Sequence, residues 1–444
     1  MPHQSGHNTG PLLEGHKGVM KLRIDASFRG RFLFILFGLV SSYLLCAPLA
    51  RGQESIRASL AGDAAAFARR PVISNTGYNL QLGPVLAKLS ASLGLEFNDN
   101  ITLSESNRES DLIVRPSLGA NVVWQVSELN ALRLDLGIGY AAYVSHSQFN
   151  TQGLLIAPQS ALAFDVYIGD FRITLFDQFS LLQNPVDEID LANVGRFPRF
   201  ENAAGITVLW DLNKVILIGG YTHYNFVSLE SNFSYLDRWE EQFFLSGSLR
   251  ATDTVSVGVR ATGGIVDYNQ NFNNDSAWYS FGPFLESQIT PYIHVSLEGG
   301  YQGGSFNSGG LNGDTSNLDT VYARLQMTHR VNRYVTETFD IGRDAMLGFT
   351  TNTTELSYVR YGAIWRVNSK ATLALEAFYE HGLDSPSDFE SERVNRYGVG
   401  ANLDYRLGQH FTTSLGYWFV DRKSDLPDRS YYQNRVLWGI TYDF

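Results

Sequence analysis

Residues 434–444 read NRVLWGITYDF, and the alternation within them decides the fold. Counting back in steps of two gives an apolar row, Phe444, Tyr442, Ile440, Trp438 and Val436. The other row is small or polar, Asp443, Thr441, Gly439 and Arg435, with Leu437 as its exception. A period of two belongs to a β-strand with one greasy face and one wet face. In a soluble sandwich the greasy row would pack on a core. In a transmembrane barrel it faces lipid and the wet row faces a lumen.

The same alternation recurs from Val85 to the end. In RYGVGANLDYRL, the row Tyr397, Val399, Ala401, Leu403, Tyr405 and Leu407 is set against Arg396, Gly398, Gly400, Asn402, Asp404 and Arg406. In LRLDLGIGY, Leu132, Leu134, Leu136, Ile138 and Tyr140 are set against Arg133, Asp135, Gly137 and Gly139. Neither polar row could be a soluble core. Strand-like stretches are joined alternately by short turns (SELN at 127–130, Gly169-Asp170, DLNK at 211–214, Thr252-Asp253, Thr290-Pro291, Asn332-Arg333, NSK at 368–370, Gly408-Gln409) and by longer polar loops such as FNSGGLNGDTSN and LDSPSDFESE. Eight turns and nine loops predict an all-β, antiparallel transmembrane barrel of about eighteen strands over residues 85–444, with sixteen as the alternative. The short-turn side is then the periplasm.

Aromatics gather at the expected strand ends: Trp124, Tyr167, Trp210, Tyr292, Tyr334, Trp365 and Tyr442 by the turns, and Tyr140, Tyr221, Tyr301, Tyr379 and Tyr417 by the loops. Two such bands match the girdles of a membrane barrel. YVTETFDIGRD and FRITLFDQFSLL fit less well, because an acid falls on the lipid face; a β-bulge or an early strand end is the expected remedy in each.

Composition agrees. Charged residues are 18% of the 444 and aromatics 13%, with 23 Tyr, 28 Phe and 41 Gly, and the mean hydropathy is -0.13. That is too polar for helical spans and too poor in charge for an ordinary soluble surface. A net charge of -11 argues against a general nucleic-acid binder. One cysteine, Cys46, leaves no disulfide framework or CxxC site. It lies in FLFILFGLVSSYLLCAPLARG, preceded by Arg29 and Arg31 and followed by small residues, the layout of a secretory signal peptide. Residues 1–52 are therefore assigned to a signal peptide with a long N-terminal extension, with cleavage after Gly52 (or Ala50) and Met20 as the alternative start. Residues 53–84 are assigned to a short periplasmic segment.

No catalytic motif is present, so no enzyme, metal or cofactor is expected. The histidines His146, His223, His294, His329, His381 and His410 are scattered without ligand or Ser/His spacing. What stands out is arginine on the inward row: Arg115, Arg133, Arg250, Arg260, Arg324, Arg360, Arg366, Arg396, Arg406 and Arg435. Inward acids come out fewer: Glu96, Asp135, Asp211, Glu298, Glu376, Glu380 and Asp404. Two readings stand side by side: a pore wall that favours anions, or cross-strand pairs filling a wet interior. The loop at 183–199, QNPVDEIDLANVGRFPR, has an acidic first half and a basic second half suited to a constriction, with external cover as its alternative.

The stretches ESDLIVRPSLGANVVW and YYQNRVLWGITYDF resemble those of the beta-barrel porins of Gram-negative outer membranes, and within them the type found beside exopolysaccharide synthesis and export genes. The ending, with Trp438, Tyr442 and Phe444, resembles the signal by which such proteins are delivered to the barrel assembly machinery. The resemblance implies an outer-membrane channel for passive diffusion of polar solutes, anions included, or a non-conducting accessory barrel of polysaccharide export. Its partners would be outer-membrane lipid, the assembly machinery and, in the second case, export components; it implies no cofactor.

Overall fold

The structure, a computed structural model, describes residues 77–186, 188–388 and 391–444. The assigned signal peptide and most of the 53–84 segment lie outside the described residues.

The strands follow in chain order. The first six are β1 (Val85–Asn98), β2 (Asp111–Ser127), β3 (Asn130–Gly139), β4 (Ala161–Ile168), β5 (Phe171–Leu182) and β6 (Arg199–Asp211). Next come β7 (Val215–Ser228), β8 (Arg238–Arg250), β9 (Val255–Tyr268), β10 (Ser276–Thr290), β11 (Ile293–Phe306) and β12 (Leu318–Arg330). The last six are β13 (Val335–Leu347), β14 (Thr353–Arg366), β15 (Ala371–Asp384), β16 (Arg393–Arg406), β17 (Phe411–Ser424) and β18 (Tyr431–Asp443). Two short pieces, Ala142–Tyr143 and Leu155–Ile156, extend the wall beside β3 and β4. Within the expected periplasmic segment, Leu80–Leu82 folds back as a hairpin onto β1.

Each strand pairs antiparallel with the next, and β18 pairs with β1 from Ser90↔Asp443 to Asn98↔Arg435, which closes an eighteen-strand barrel. Closure removes both sheet edges, so the terminal strand has its backbone groups paired on both sides. The eight predicted turns and nine predicted loops all fall between strands. At Gly169 the turn needs φ of 57°, open to glycine without strain.

Exposure identifies the two faces. Leu93, Leu118, Leu245, Val321, Val399 and Trp438 are exposed apolar residues on one row. Glu96, Arg260, Glu380 and Arg396, on the other row, are buried. An apolar exterior and a polar interior in a closed barrel make a membrane-spanning protein. Trp124, Trp210, Tyr292, Tyr334 and Trp365 are exposed at the turn end. At the loop end, outward tyrosines donate to polar groups on the next strand: Tyr221 to Glu241 at 2.5 Å, Tyr379 to Asn395 at 2.8 Å and Tyr417 to Asn434 at 2.8 Å. Such rings keep an apolar body in lipid and a hydroxyl in the interface.

Three expectations need correction. Tyr167 is on the inward row, opposite Arg172, and belongs to no girdle. Neither poorly fitting strand contains a bulge: β5 and β13 keep continuous register with both neighbours, and the register shifts lie at Gln125/Ser127 and Gln288/Thr290 instead. The acids do sit outward, where neighbours satisfy them. Asp177 accepts from Asn202 at 2.5 Å, and Glu337 meets His329 at 3.3 Å and the Tyr361 hydroxyl at 3.2 Å. A polar group facing lipid is tolerated when its hydrogen bonds are made within the wall.

Candidate functional site: a charged lumen crossed by a loop

Alternate residues of adjacent strands point into the barrel, so an inward charge finds partners one strand to either side. All ten arginines assigned inward are on that row. Most of them meet acids: Arg115 meets Glu96 at 2.7 Å, Arg133 meets Asp165 at 2.5 Å, Arg324 meets Asp340 at 2.7 Å and Arg250 meets Asp211 at 3.4 Å. Arg260 pairs with Glu298. Arg360 and Arg396 share Glu380, at 2.8 and 2.6 Å. Glu376 instead accepts from the Trp418 indole at 2.5 Å. That contact crosses Gly400, where a Cβ would stand 2.7 Å from the indole nitrogen and 2.8 Å from the carboxylate. Arg366 and Arg406 sit at the turn end with no carboxylate within ion-pair distance among the described residues.

More acids and more arginines face the lumen than the sequence reading placed there. Asp165, Glu240, Asp340 and Glu201 also face the lumen, as do Arg172, Arg199, Arg238 and Arg422. A count of two carried through AFDVYIGDFRIT would have placed Asp165 and Arg172 inward. The result is a repeated arrangement of one carboxylate between two guanidinium groups: Asp165 with Arg133 and Arg172, Glu380 with Arg360 and Arg396, and Glu392 with Arg422 and Arg429. In each set the shared carboxylate holds two guanidinium groups in place.

The loop 183–198 enters the barrel. It leaves β5, yet Ile189 packs with Met346, Leu356, Tyr358 and Val394 on β13, β14 and β16, and β14 stands half the circumference away. Arg396 donates to the Val186 carbonyl at 2.8 Å, Arg422 to the Ile189 carbonyl at 2.8 Å and Arg429 to the Asp190 carbonyl at 2.7 Å. On the return, Phe197 (0% exposed) packs with Phe226, Leu236 and Phe349. Burying Ile189 and Phe197 stabilises the crossing by roughly 2 kcal/mol each. Two of the loop's charges are taken up by neighbours: Glu188 bonds Arg199 at 3.2 Å and Arg196 bonds Glu230 at 2.5 Å. The wall arginines that hold the loop carry the charge there instead.

Above the crossing, neighbouring loops interlock through buried polar groups. Asn274 donates to the Asp314 carbonyl at 2.8 Å and to Asn352 at 2.9 Å, and Asp314 accepts from the Asn352 backbone at 2.8 Å and the Ser385 hydroxyl at 2.5 Å. The histidines stay apart: His146 bonds Asp111, His223 bonds Glu241 and His381 bonds Asn395.

No family model and no curated relative matches the sequence. Solved structures of similar outline include OccK2 (OpdF) of Pseudomonas aeruginosa in complex with glucuronate, with 11% identity, 83% of this chain and 100% of that chain covered and a TM-score of 0.47. A BenF-like porin of Pseudomonas fluorescens Pf-5 shows 10% identity, 82% and 100% coverage and a TM-score of 0.48. OccAB3 of Acinetobacter baumannii shows 10% identity, 81% and 99% coverage and a TM-score of 0.46. At this level of similarity none of them bears on what this barrel passes.

Proposed function

We propose that the protein is a passive channel of the bacterial outer membrane for polar solutes, small anions among them, and not an enzyme. One observation carries the reading: an eighteen-strand barrel, wide enough to leave an aqueous passage, whose inward wall holds arginines around shared carboxylates at the level where the loop 183–198 crosses. Water and solute pass beside the loop. The guanidinium groups lower the barrier to negative charge, and the shared carboxylates keep that preference moderate. Arg115, Arg133, Arg260, Arg324, Arg360, Arg396, Arg435, Glu376 and Glu380 line the passage, and Arg250, Arg366 and Arg406 line its periplasmic end. Trp438, Tyr442 and Phe444 serve recognition by the assembly machinery.

The interlocked loops favour a second reading, a non-conducting accessory barrel, because their buried network closes over part of the extracellular mouth. A role beside polysaccharide export rests on the resemblance of the two sequence stretches alone. Single-channel recording of the purified protein in a planar bilayer separates the two readings. Discrete conductance steps with a reversal potential toward anions are expected, and a silent bilayer at confirmed insertion would favour the accessory barrel.

A further inference from the structure

Arg330, Arg366 and Arg406 occupy the same place on three strands. Each is the last residue of its strand, β12, β14 or β16, and each donates its backbone N–H at 2.8 Å to the carbonyl just before an odd-numbered strand, those of Tyr292, Tyr334 and Lys370. All three are on the inward row. They sit two strands apart, so neighbours along the rim are separated by about 10 Å. Arg366 and Arg406 are exposed and Arg330 is half-buried, and no carboxylate lies within ion-pair distance of any of them among the described residues. The corresponding residues elsewhere are uncharged (Ser127, Ile168, Thr290), acidic (Asp211, Asp443) or paired: Arg250 meets Asp211, and Asp443 lies 3.8 Å from Lys88. The opposite mouth is rich in acids, with Glu105, Glu109 and Asp425 exposed on its loops.

We propose that Arg330, Arg366 and Arg406 form a basic row on one arc of the periplasmic rim that concentrates small anions, so that anion preference depends on which mouth faces dilute solution. This rests on the channel reading above. A fixed charge at a mouth controls the local ion concentration most where salt is too dilute to screen it. In water, one guanidinium about 10 Å away raises the local concentration of a monovalent anion about twofold. Three together give about fourfold after screening at 0.01 M, where the Debye length is about 30 Å, and almost nothing at 1 M, where it is about 3 Å.

The test uses the full-length mature protein in a planar bilayer with potassium chloride as the probe. Orientation is fixed by a Ser308→Cys change in an extracellular loop and a membrane-impermeant thiol reagent added to one side. With 0.01 M salt at the periplasmic rim, chloride is enriched and potassium depleted about fourfold each, so the chloride-to-potassium permeability ratio is expected to be between about fourfold and sixteenfold higher than with the gradient reversed. The triple variant R330Q/R366Q/R406Q should lose that difference, and the triple lysine variant should keep it. Equal ratios in both gradients would overturn the proposal while leaving the channel intact. A difference that persists in the glutamine variant would place its origin in the acidic loops and also overturn it. No conductance under any gradient would overturn the channel reading and, with it, this one.

Discussion

Replacing Glu380 by Gln preserves shape and removes the negative charge that two arginines share. Its carboxylate accepts from Arg360 Nη2 at 2.8 Å and from Arg396 Nε and Nη2 at 2.9 and 2.6 Å, with side-chain exposure of 5% for Glu380 and 4% for Arg396. Breaking a buried charge pair from one side leaves the other charge desolvated and uncompensated, which costs about 3–5 kcal/mol. Arg250 and Asp211 form the internal control. They stand 3.4 Å apart at the rim with side chains 40% and 43% exposed, so water and salt screen them. Asp211→Asn should cost about 0–1 kcal/mol. With a urea slope on the order of 3 kcal/mol/M, the midpoint should fall by about 1 M or more for E380Q and by less than about 0.4 M for D211N. The assay is reversible urea unfolding in lipid vesicles followed by tryptophan fluorescence, with unfolding and refolding curves required to coincide. Equal shifts for the two variants would refute the assignment of a dry, tightly held charge set beside the loop. The same E380Q protein should show a stronger anion preference, because two guanidinium groups lose their shared counter-charge.

Three further outcomes follow from particular contacts. Phe197→Ala opens a cavity at the base of the crossing loop and should destabilise the protein by about 3–5 kcal/mol; it should also raise and broaden single-channel conductance, and an unchanged conductance distribution would show that the loop does not narrow the passage. Single cysteines at Asn402, Asp404 and Arg406 should react with a water-soluble thiol reagent in intact membranes while those at Ala401, Leu403 and Tyr405 should not, and uniform labelling would contradict the inward and outward rows. Deleting Phe444 removes an edge-on ring contact with Tyr442 at 5.1 Å and a backbone bond to Leu89 at 3.2 Å. Its yield in the outer-membrane fraction should drop severalfold while export across the inner membrane continues, and normal yield would show that the terminal aromatic is dispensable.

Much of the fold is legible in the sequence because a barrel strand writes its environment into alternate residues. NRVLWGITYDF and RYGVGANLDYRL each announce which side meets lipid, and turn-forming pairs such as Gly169-Asp170 mark the short connections. These are local properties, fixed within a few residues of chain. Parity likewise placed Arg360, Arg396 and Glu380 on one wall. It failed to show that they form a single charge set, because that depends on register between strands, and register is a relation between distant segments. Asp165 and Arg172, by contrast, lay within reach of the same local count, since one hairpin carries both.

The crossing of the loop 183–198 lay beyond the sequence for a deeper reason. Its acidic and basic halves suggested a charged constriction, yet Glu188 bonds Arg199 and Arg196 bonds Glu230. What carries the loop across is Ile189 meeting side chains of β13, β14 and β16, with Arg396 and Arg422 binding its carbonyls. Those partners lie more than 150 residues away in the chain, as the bond from Arg396 to Val186 spans 210 positions. They become neighbours only when β18 closes on β1 and brings the far wall opposite β5. Local alternation thus determined the strands and their two faces, while closure alone decided what the lumen contains.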